Sequence, residues 1–442
     1  MNKPTCVLQS PCFTRSGYGE WSMAMAKSLL RYDKFDLQII PTRWGGCPSK
    51  NSLSELDNEE ERILFSKILR SPLSKQPEVF IQMTIPNEFQ SPAKFNIGMT
   101  AGIETTVPPG EWIEGLNRMN VNFVLSKFVK DVFSSVNFVK QTPDGKRTEL
   151  KVTKPMEVVH WGADTSIYTN KYRGLGDIEE QLGKIPEDFC FLFVGQWTHN
   201  KGLYSDRKDI GMLIKTFCEA FAGYKNKPAL VLKTSGVSFS KVDRDECLKK
   251  IHKIKESLKL NDLPNIYLLH GELTDLEMND LFNHPKIKVH VSFTHGEGYG
   301  HPLLLASLSG KPVLASDWSG HLDFLNKDNA FLLPGTINPV RGDSVNQWII
   351  KESSWFYVDY EKAKEKFRGS VVNYDKLLKK SIEAVVTNSE KFNLSAIDAQ
   401  FHSMLDKYVP EFPSERKIVL PKLKKIDVPE LNKITIPTLK KI

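Results

Sequence analysis

The sequence predicts an α/β protein of two doubly wound domains facing a central cleft, followed by an extended Pro/Lys repeat tail. Three observations carry that expectation. Strand-like and helix-like segments alternate from the first residues, the alternation breaks and restarts near residues 140–157, and the last thirty residues follow an eight-residue period. The length agrees, since 442 residues exceed the roughly 250–300 at which a single hydrophobic core stops growing. The composition is 40% hydrophobic, 26% charged and 10% aromatic, which is globular and excludes disordered, collagenous and coiled-coil chains.

CVLQS (6–10) reads as a short buried strand, after which Trp21, Ala24, Met25, Ser28 and Leu29 recur on one face of a helix. DLQIIP (36–41), VFIQMT (79–84), KFNIGMT (94–100) and NFVLS (122–126) are further strands. They alternate with the helical patterns EWIEGLNRMN (111–120) and KFVKDVFSSV (127–136), the order expected of a parallel sheet covered on both faces. QTPDGKRTELKVTKP is polar and turn-rich, and the strand MEVVHWGAD (156–164) closes it. The rhythm resumes with DFCFLFVG (188–195), then a helix with Ile210, Leu213, Ile214, Phe217 and Phe221 on one face, then ALVLKTSG (229–236). NIYLLHG (265–271), IKVHVSFTHGEGYG (287–300) and KPVLASD (311–317) complete it. The expected divisions are 1–157, 158–390, a helical segment at 391–412 and the tail at 413–442.

Lys and Arg number 60 against 53 Asp and Glu, a net charge of +7, and residues 413–442 alone carry +5 of it. The charge therefore says little about partners of the two domains. In the tail, Pro413, Pro421, Pro429 and Pro437 recur every eighth position, as do Lys417, Lys425, Lys433 and Lys441. Regular prolines forbid a continuous helix. An extended arm is expected, contacting its own domains, another subunit or a polyanion. The six cysteines are scattered and form no Cys-x-x-Cys pair, which indicates neither a zinc ribbon nor a disulfide framework. The start lacks an apolar signal region, and no run of about 18 apolar residues occurs. A cytoplasmic protein without a transmembrane segment is expected.

Four loops could carry chemistry. Arg15-Ser16-Gly17-Tyr18-Gly19 leads from the first strand into a helix, where glycines admit a ligand and free amides favour anions. Glu104 follows a strand end, where a loop would overhang the cleft. Gly195 ends a strand, and Arg207-Lys208 precede a helix, with Asp209 as its expected N-cap. Two cations at such a junction suit a diphosphate leaving group. Lys233 ends the next strand and could reach the same anion. The fourth loop is Thr294-His295-Gly296-Glu297-Gly298-Tyr299-Gly300-His301, with Pro302 at a first helical position and Gly310 at a helix stop. Its glycines leave the Glu297 carboxylate free to meet polar groups such as sugar hydroxyls. Asp243-Arg244-Asp245 has the form of a metal-binding Asp-x-Asp, but it precedes the basic helix CLKKIHKIKESLKL, where carboxylates suit the N-terminus. No metal site is expected there.

Together these residues resemble the glycogen-synthase-like (family four) glycosyltransferases of the GT-B architecture, which has two Rossmann-like domains. The resemblance rests on VVHWGADTSIY (158–168), FVG followed by Arg-Lys and a helix, GEGYGHPLLLASLSGKPVLASDWSGHLDFL, and ETTVPPGEWIEGLNRMNVNFVLSKFVKDVF. It covers roughly residues 5–410. It implies an N-terminal acceptor-side domain, a C-terminal nucleotide-sugar domain, and a helix near 397–408 crossing back. Glu297 would contact the donor sugar, while Lys208 and Arg207 would stabilise the departing diphosphate. Gly17, Tyr18 and Gly19 would close over the phosphates, and His270 and Leu273 would lie by the base. Gly195, Lys233, Gly298, Tyr299, Gly300 and His301 complete the expected donor site, with Glu104 as the fourth catalytic residue.

Two departures stand out. Leu305 occupies the place of the family's second glutamate, and all ten histidines lie at 160 or later. The N-domain histidine of many relatives is thus absent, and Glu104 stands as its candidate replacement. The expected reaction moves a hexosyl or pentosyl unit from a nucleotide sugar, UDP-linked by preference, to an acceptor hydroxyl. The resemblance implies retention of configuration. No metal or cofactor is called for, since protein cations can offset the diphosphate charge. The acceptor is a saccharide, a lipid-linked saccharide or, through the basic tail, a hydroxylated DNA base flipped into the cleft. The alternative from another class is a catalytically silent nucleotide-sugar-binding protein.

Overall fold

The computed structural model describes residues 3–56, 58–141, 145–198, 203–236 and 238–413. The repeat tail from residue 414 onward, for which an extended arm is expected, lies outside them. The N-terminal lobe runs β1 (Thr5–Ser10), α1 (Gly17–Tyr32), β2 (Asp36–Pro41), α2 (Glu59–Ser66), β3 (Val79–Met83), β4 (Phe95–Thr100), α3 (Gly110–Arg118), β5 (Val121–Val124), α4 (Lys127–Ser135), β6 (Phe138–Gln141), β7 (Arg147–Leu150) and β8 (Met156–Val158). The C-terminal lobe continues with α5 (Gly176–Gly183), β9 (Cys190–Val194), α6 (Ile210–Phe221), β10 (Ala229–Lys233), α7 (Lys241–Ser257), β11 (Ile266–Leu269), α8 (Asp275–Asn283), β12 (Ile287–Ser292), α9 (His301–Ser307), β13 (Val313–Ser316) and β14 (Phe331–Leu333). A hairpin of β15 (Gly335–Pro339) and β16 (Ser354–Val358) follows, then α10 (Tyr360–Val372), α11 (Tyr374–Lys391) and α12 (Leu394–Tyr408).

Each lobe is built on a six-stranded sheet, ordered β2-β1-β3-β4-β5-β8 and β11-β10-β9-β12-β13-β14. Every pairing within both sheets is parallel. The strands read as nearly unbroken apolar runs because helices cover both faces. β3 is buried at all five positions. Chain order reverses between β1 and β3 and between β9 and β12. Ligands of doubly wound sheets enter at such switch points, beyond the carboxyl ends of the strands.

Local chemistry explains where the helices start. Ser16 caps α1 by accepting from the Gly19 amide at 3.0 Å, and Ser126 caps α4 through Val129 N at 3.2 Å. That cap cuts the expected strand 122–126 short, since Ser126 has turned out of the sheet. The expected strand 156–164 also ends early, at Val158. Residues beyond it leave the sheet to cross between lobes, and Ala163 pairs with Asn393 in an isolated parallel bridge. The polar break near 140–157 is not structureless, because β6 and β7 form an antiparallel hairpin within it.

One apolar cluster runs through both lobes. It joins Leu8, Trp21, Ile81 and Phe123 of the first lobe to Leu192, Phe282 and Leu304 of the second, through Val159, Trp161, Phe392, Phe401 and Leu405. α12 thereby crosses back onto the first lobe. Phe401 meets Phe123 edge-on at 6.1 Å, Arg31 pairs with Asp398 at 2.7 Å, and Lys407 Nζ donates to Glu157 at 2.8 Å. No helix among the described residues is long and apolar enough to cross a membrane.

The lobes also touch across the cleft, where glycine is a steric requirement. A Cβ on Gly298 would lie 2.3 Å from the Ala101 carbonyl oxygen, and one on Gly296 would lie 2.3 Å from that of Glu104. Ser126 Oγ donates to the Gly298 carbonyl at 2.6 Å over the same contact.

Two outcomes follow from this packing. Phe401→Ala should destabilise the chain by about 3–5 kcal/mol, the usual cost of emptying a buried aromatic site. Urea unfolding measures it, and a loss under about 1 kcal/mol would show that α12 is dispensable to the core. Gly298→Ala should wedge the lobes apart, raising the radius of gyration in small-angle scattering, and an unchanged profile would contradict the close approach.

Candidate active site

The chain leaves β9 at Val194 and enters α6 through Ser205-Asp206-Arg207-Lys208-Asp209. Asp209 has φ 52° and its side chain does not cap α6, contrary to expectation. Asp206 takes that role, with Oδ2 accepting from Ile210 N at 3.0 Å and Oδ1 from Lys208 N at 2.9 Å. The left-handed turn at Asp209 carries its carboxylate inward, so the carboxylate three residues earlier is the one left facing the free amides.

The loop after β12 meets this segment at the switch point of the second sheet. His295 N donates to the Arg207 carbonyl at 2.7 Å, which ties the two loops backbone to backbone. Thr294 Oγ1 donates to Gly296 O at 2.9 Å, and Glu297 N donates to Ser319 Oγ at 2.9 Å. These bonds aim Glu297 at the cations. Lys208 Nζ donates to Glu297 Oε1 at 2.5 Å, and Arg207 Nη1 donates to Oε2 at 3.1 Å and to Gly296 O at 2.8 Å. From the other lobe, Glu104 Oε1 lies 3.6 Å from Arg207 Nη2. Arg207, Lys208, Glu297 and Glu104 thus form one cluster spanning the cleft.

Burial sets its electrostatics. The Glu297 side chain is 8% exposed and that of Lys208 13%, whereas Arg207 and Glu104 retain 29% and 31%. Burial alone would raise the Glu297 carboxyl, but Lys208 and then Arg207 more than offset it and hold it at about 2. Burial lowers Lys208, partly countered by Glu297. Burial also raises Asp206, to about 6, with Asp209 adding to the effect. The sequence reading missed Asp206, although an aspartate one residue before an Arg-Lys pair at a helix entry is a visible signal.

The other expected residues fall into distinct surroundings. Gly17 faces open space, while a Cβ on Gly19 would lie 2.0 Å from the Thr14 carbonyl oxygen. The Tyr18 hydroxyl is fixed by Thr100 Oγ1 at 3.0 Å and Ala101 N at 2.9 Å, and its ring stacks on Trp44 at 4.0 Å. Tyr18 therefore braces the end of β4. A Cβ on Gly195 would sit 3.6 Å from Lys208 Cε, so that strand end adjoins the cluster. Lys233 Nζ donates to the Gly271 carbonyl at 2.5 Å, at the end of β11. His270 Nε2 lies 2.9 Å from Asp243 Oδ2, and Leu273 packs against the apolar cluster. Gly300 has φ 88° at the entry to α9. The Tyr299 side chain is 3% exposed and packs on Phe324 at 5.2 Å, a core position. His301 stacks on Trp161 at 3.6 Å, beside the segment joining the lobes. Leu305 is 8% exposed within the apolar cluster. The sequence reading also missed a contact between lobes, the ion pair of Arg15 with Glu272. Both residues are polar neighbours of expected site positions, but only the fold brings them together.

Asp243 accepts from Gly236 N at 2.8 Å as well as facing His270, and Asp245 lies 3.4 Å from Arg244. Among the described residues, no group of three or more His, Cys, Asp or Glu side chains is arranged to hold a metal.

No family model matches the sequence. No curated protein is similar to it by sequence. Solved structures are similar in fold. HepE from Anabaena, in complex with UDP and glucose, is 11% identical with a TM-score of 0.56, covering 91% of this chain and 100% of that one. Sucrose-phosphate synthase from Thermosynechococcus elongatus is 12% identical with a TM-score of 0.58, covering 92% and 99%. The α,α-trehalose 6-phosphate synthase of Burkholderia multivorans is 10% identical with a TM-score of 0.56, covering 92% and 97%. With two parallel six-stranded sheets flanked by helices, the described chain has the two-Rossmann-domain GT-B fold.

Proposed function

We propose that the protein is a glycosyltransferase that moves a sugar from a UDP-sugar to a saccharide hydroxyl, with retention of anomeric configuration. The observation that carries this reading is the convergence of Lys208, Arg207 and Glu297 at the switch point between β9 and β12. A doubly wound sheet offers that place to a ligand, and HepE, similar in fold, has been solved with UDP-glucose.

The charges suit the chemistry. Breaking the sugar–phosphate bond leaves a cation-like anomeric carbon and a diphosphate anion. Lys208 and Arg207 are fixed before the anion forms, so they stabilise it without reorganising. Glu297 stays ionised at any physiological pH and acts as an acceptor for the sugar hydroxyls. A donor must take the cations over from Glu297, whose carboxylate is then free to accept from the sugar hydroxyls. Glu104, reaching Arg207 from the first lobe, lies where an acceptor would approach. Its carboxylate is suited to orient the attacking hydroxyl. Charge compensation by protein cations leaves no step that calls for a metal.

Lys208→Ala should lower kcat by about 10²–10³-fold, the usual cost of removing one preorganised charge from a transition state, with the fold retained by circular dichroism but a lower thermal melt, because Glu297 then keeps only Arg207 as its cation. Transfer and donor hydrolysis are followed with UDP-sugars, and turnover unchanged by that substitution and by Glu297→Gln would refute the assignment. UDP binding with neither hydrolysis nor transfer would favour a silent nucleotide-sugar-binding protein. Activity should survive excess EDTA; abolition reversed by Mn²⁺ would overturn the metal-free mechanism.

A further inference from the structure

Behind the cations lies a buried polar group that the mechanism above leaves unused. Asp209, directly after Lys208, is 0% exposed, as is His295, two residues before Glu297. The Tyr360 hydroxyl, at the start of α10, donates to Asp209 Oδ2 at 2.6 Å. The other carboxylate oxygen, Oδ1, faces His295 Nε2 at 3.7 Å, too far for a hydrogen bond, and the Tyr204 backbone also draws on the imidazole. His295 Nδ1 lies 2.7 Å from the Phe356 carbonyl oxygen. A carbonyl only accepts, so Nδ1 carries a proton and Nε2 is left bare in the neutral ring. A carboxylate oxygen against a bare ring nitrogen would be two buried acceptors in opposition. One proton between them removes the conflict.

We propose that Asp209 and His295 are a positioning pair that shares one proton at neutral pH, so that Asp209 does not draw on the charge of Lys208 and Arg207 and both cations remain available to a diphosphate. The inference rests on the donor reading above. Burial favours this uncharged state: it pushes the Asp209 carboxyl up to about 8, against donation from Tyr360, and the His295 imidazole down to about 4. The groups around the pair are Asp206, Arg207 and Lys208 from its own loop, the Tyr204 backbone, which raises the His295 imidazole, Tyr357 from β16 with its ring 4.4 Å from His295, and Tyr360 from α10. Only Arg207 and Lys208 among them carry positive charge, and both engage Glu297.

The sign follows from linkage. A bound dianion favours the protonated pair, so diphosphate affinity is full below the pair's pKa and falls as pH rises through about 8, by up to about tenfold per pH unit for one coupled proton. The proton taken up on binding comes from solvent and returns on release. Calorimetric titration with UDP between pH 6 and 9.5 should show that inflection in the wild type. Tyr360→Phe removes the donor that favours the carboxylate and should move the inflection to higher pH. Asp209→Asn should abolish it, because a carboxamide keeps the donor and acceptor pattern of the protonated acid and does not titrate. A wild-type affinity flat to pH 9, or the same inflection in Asp209→Asn, would overturn the proposal.

A ligand-free measurement separates this from the donor reading. A carboxyl raised in the folded state stabilises the fold below its unfolded pKa, and that contribution is lost as pH rises through the folded value. Urea stability of the wild type relative to Asp209→Asn should therefore decline between about pH 4 and pH 8. A difference independent of pH would refute the shared proton. Absence of UDP binding alongside that decline would refute the donor site and leave the pair as a protonated structural element.

Discussion

Arg207 reaches carboxylates from both lobes: Glu297 beside it in the second, and Glu104 across the cleft in the first. Opposite charges brought this close in a half-buried place attract far more strongly than on the surface. They must also be matched, because an unpaired charge at that depth is costly. Two cations against two carboxylates meet that condition. The surroundings of the cleft can be understood as what is needed to bring these four side chains together and keep water from separating them.

The glycines meet the steric part of that need. Glu297 could not come so close to the first lobe if its neighbours carried side chains, since the carbonyl oxygens of Ala101 and Glu104 occupy the places where those Cβ atoms would be. The loops are then fixed from behind by the His295 amide on the Arg207 carbonyl and the Glu297 amide on the Ser319 hydroxyl. Arg207 and Glu297 are ninety residues apart in sequence, yet they come to one point because β9 and β12 are neighbours in the sheet. α12 does the corresponding work between lobes. It buries Phe401 and Leu405 in a core to which both lobes contribute.

Much of this was legible in the sequence because it is local. Apolar runs marked the strands of both sheets except β14, and β2 lies where DLQIIP marks it, at 36–41. Arg207-Lys208 and Gly296-Glu297-Gly298 stood out as charges and glycines at strand ends, where the ligands of such sheets enter. Less legible was anything set by a backbone turn or a distant partner. Asp209 has the residue type and position of a cap, but its left-handed φ hands that task to Asp206. Tyr299 lies in the same glycine-rich loop as Glu297, yet it points into the core.

By itself, the sequence determined the fold class, the two-lobed division and the residue types at the strand ends, because these depend on periodicities of two to four residues and on which side chains tolerate a turn. Tertiary structure alone decided that Glu104 joins Arg207, that Arg15 meets Glu272, and that Asp209, His295 and Tyr360 close on one another in the interior. Those pairings span gaps of between eighty and two hundred and sixty residues. Attraction and burial at such separations depend on how the sheets and helices pack, and no short stretch of chain encodes that geometry.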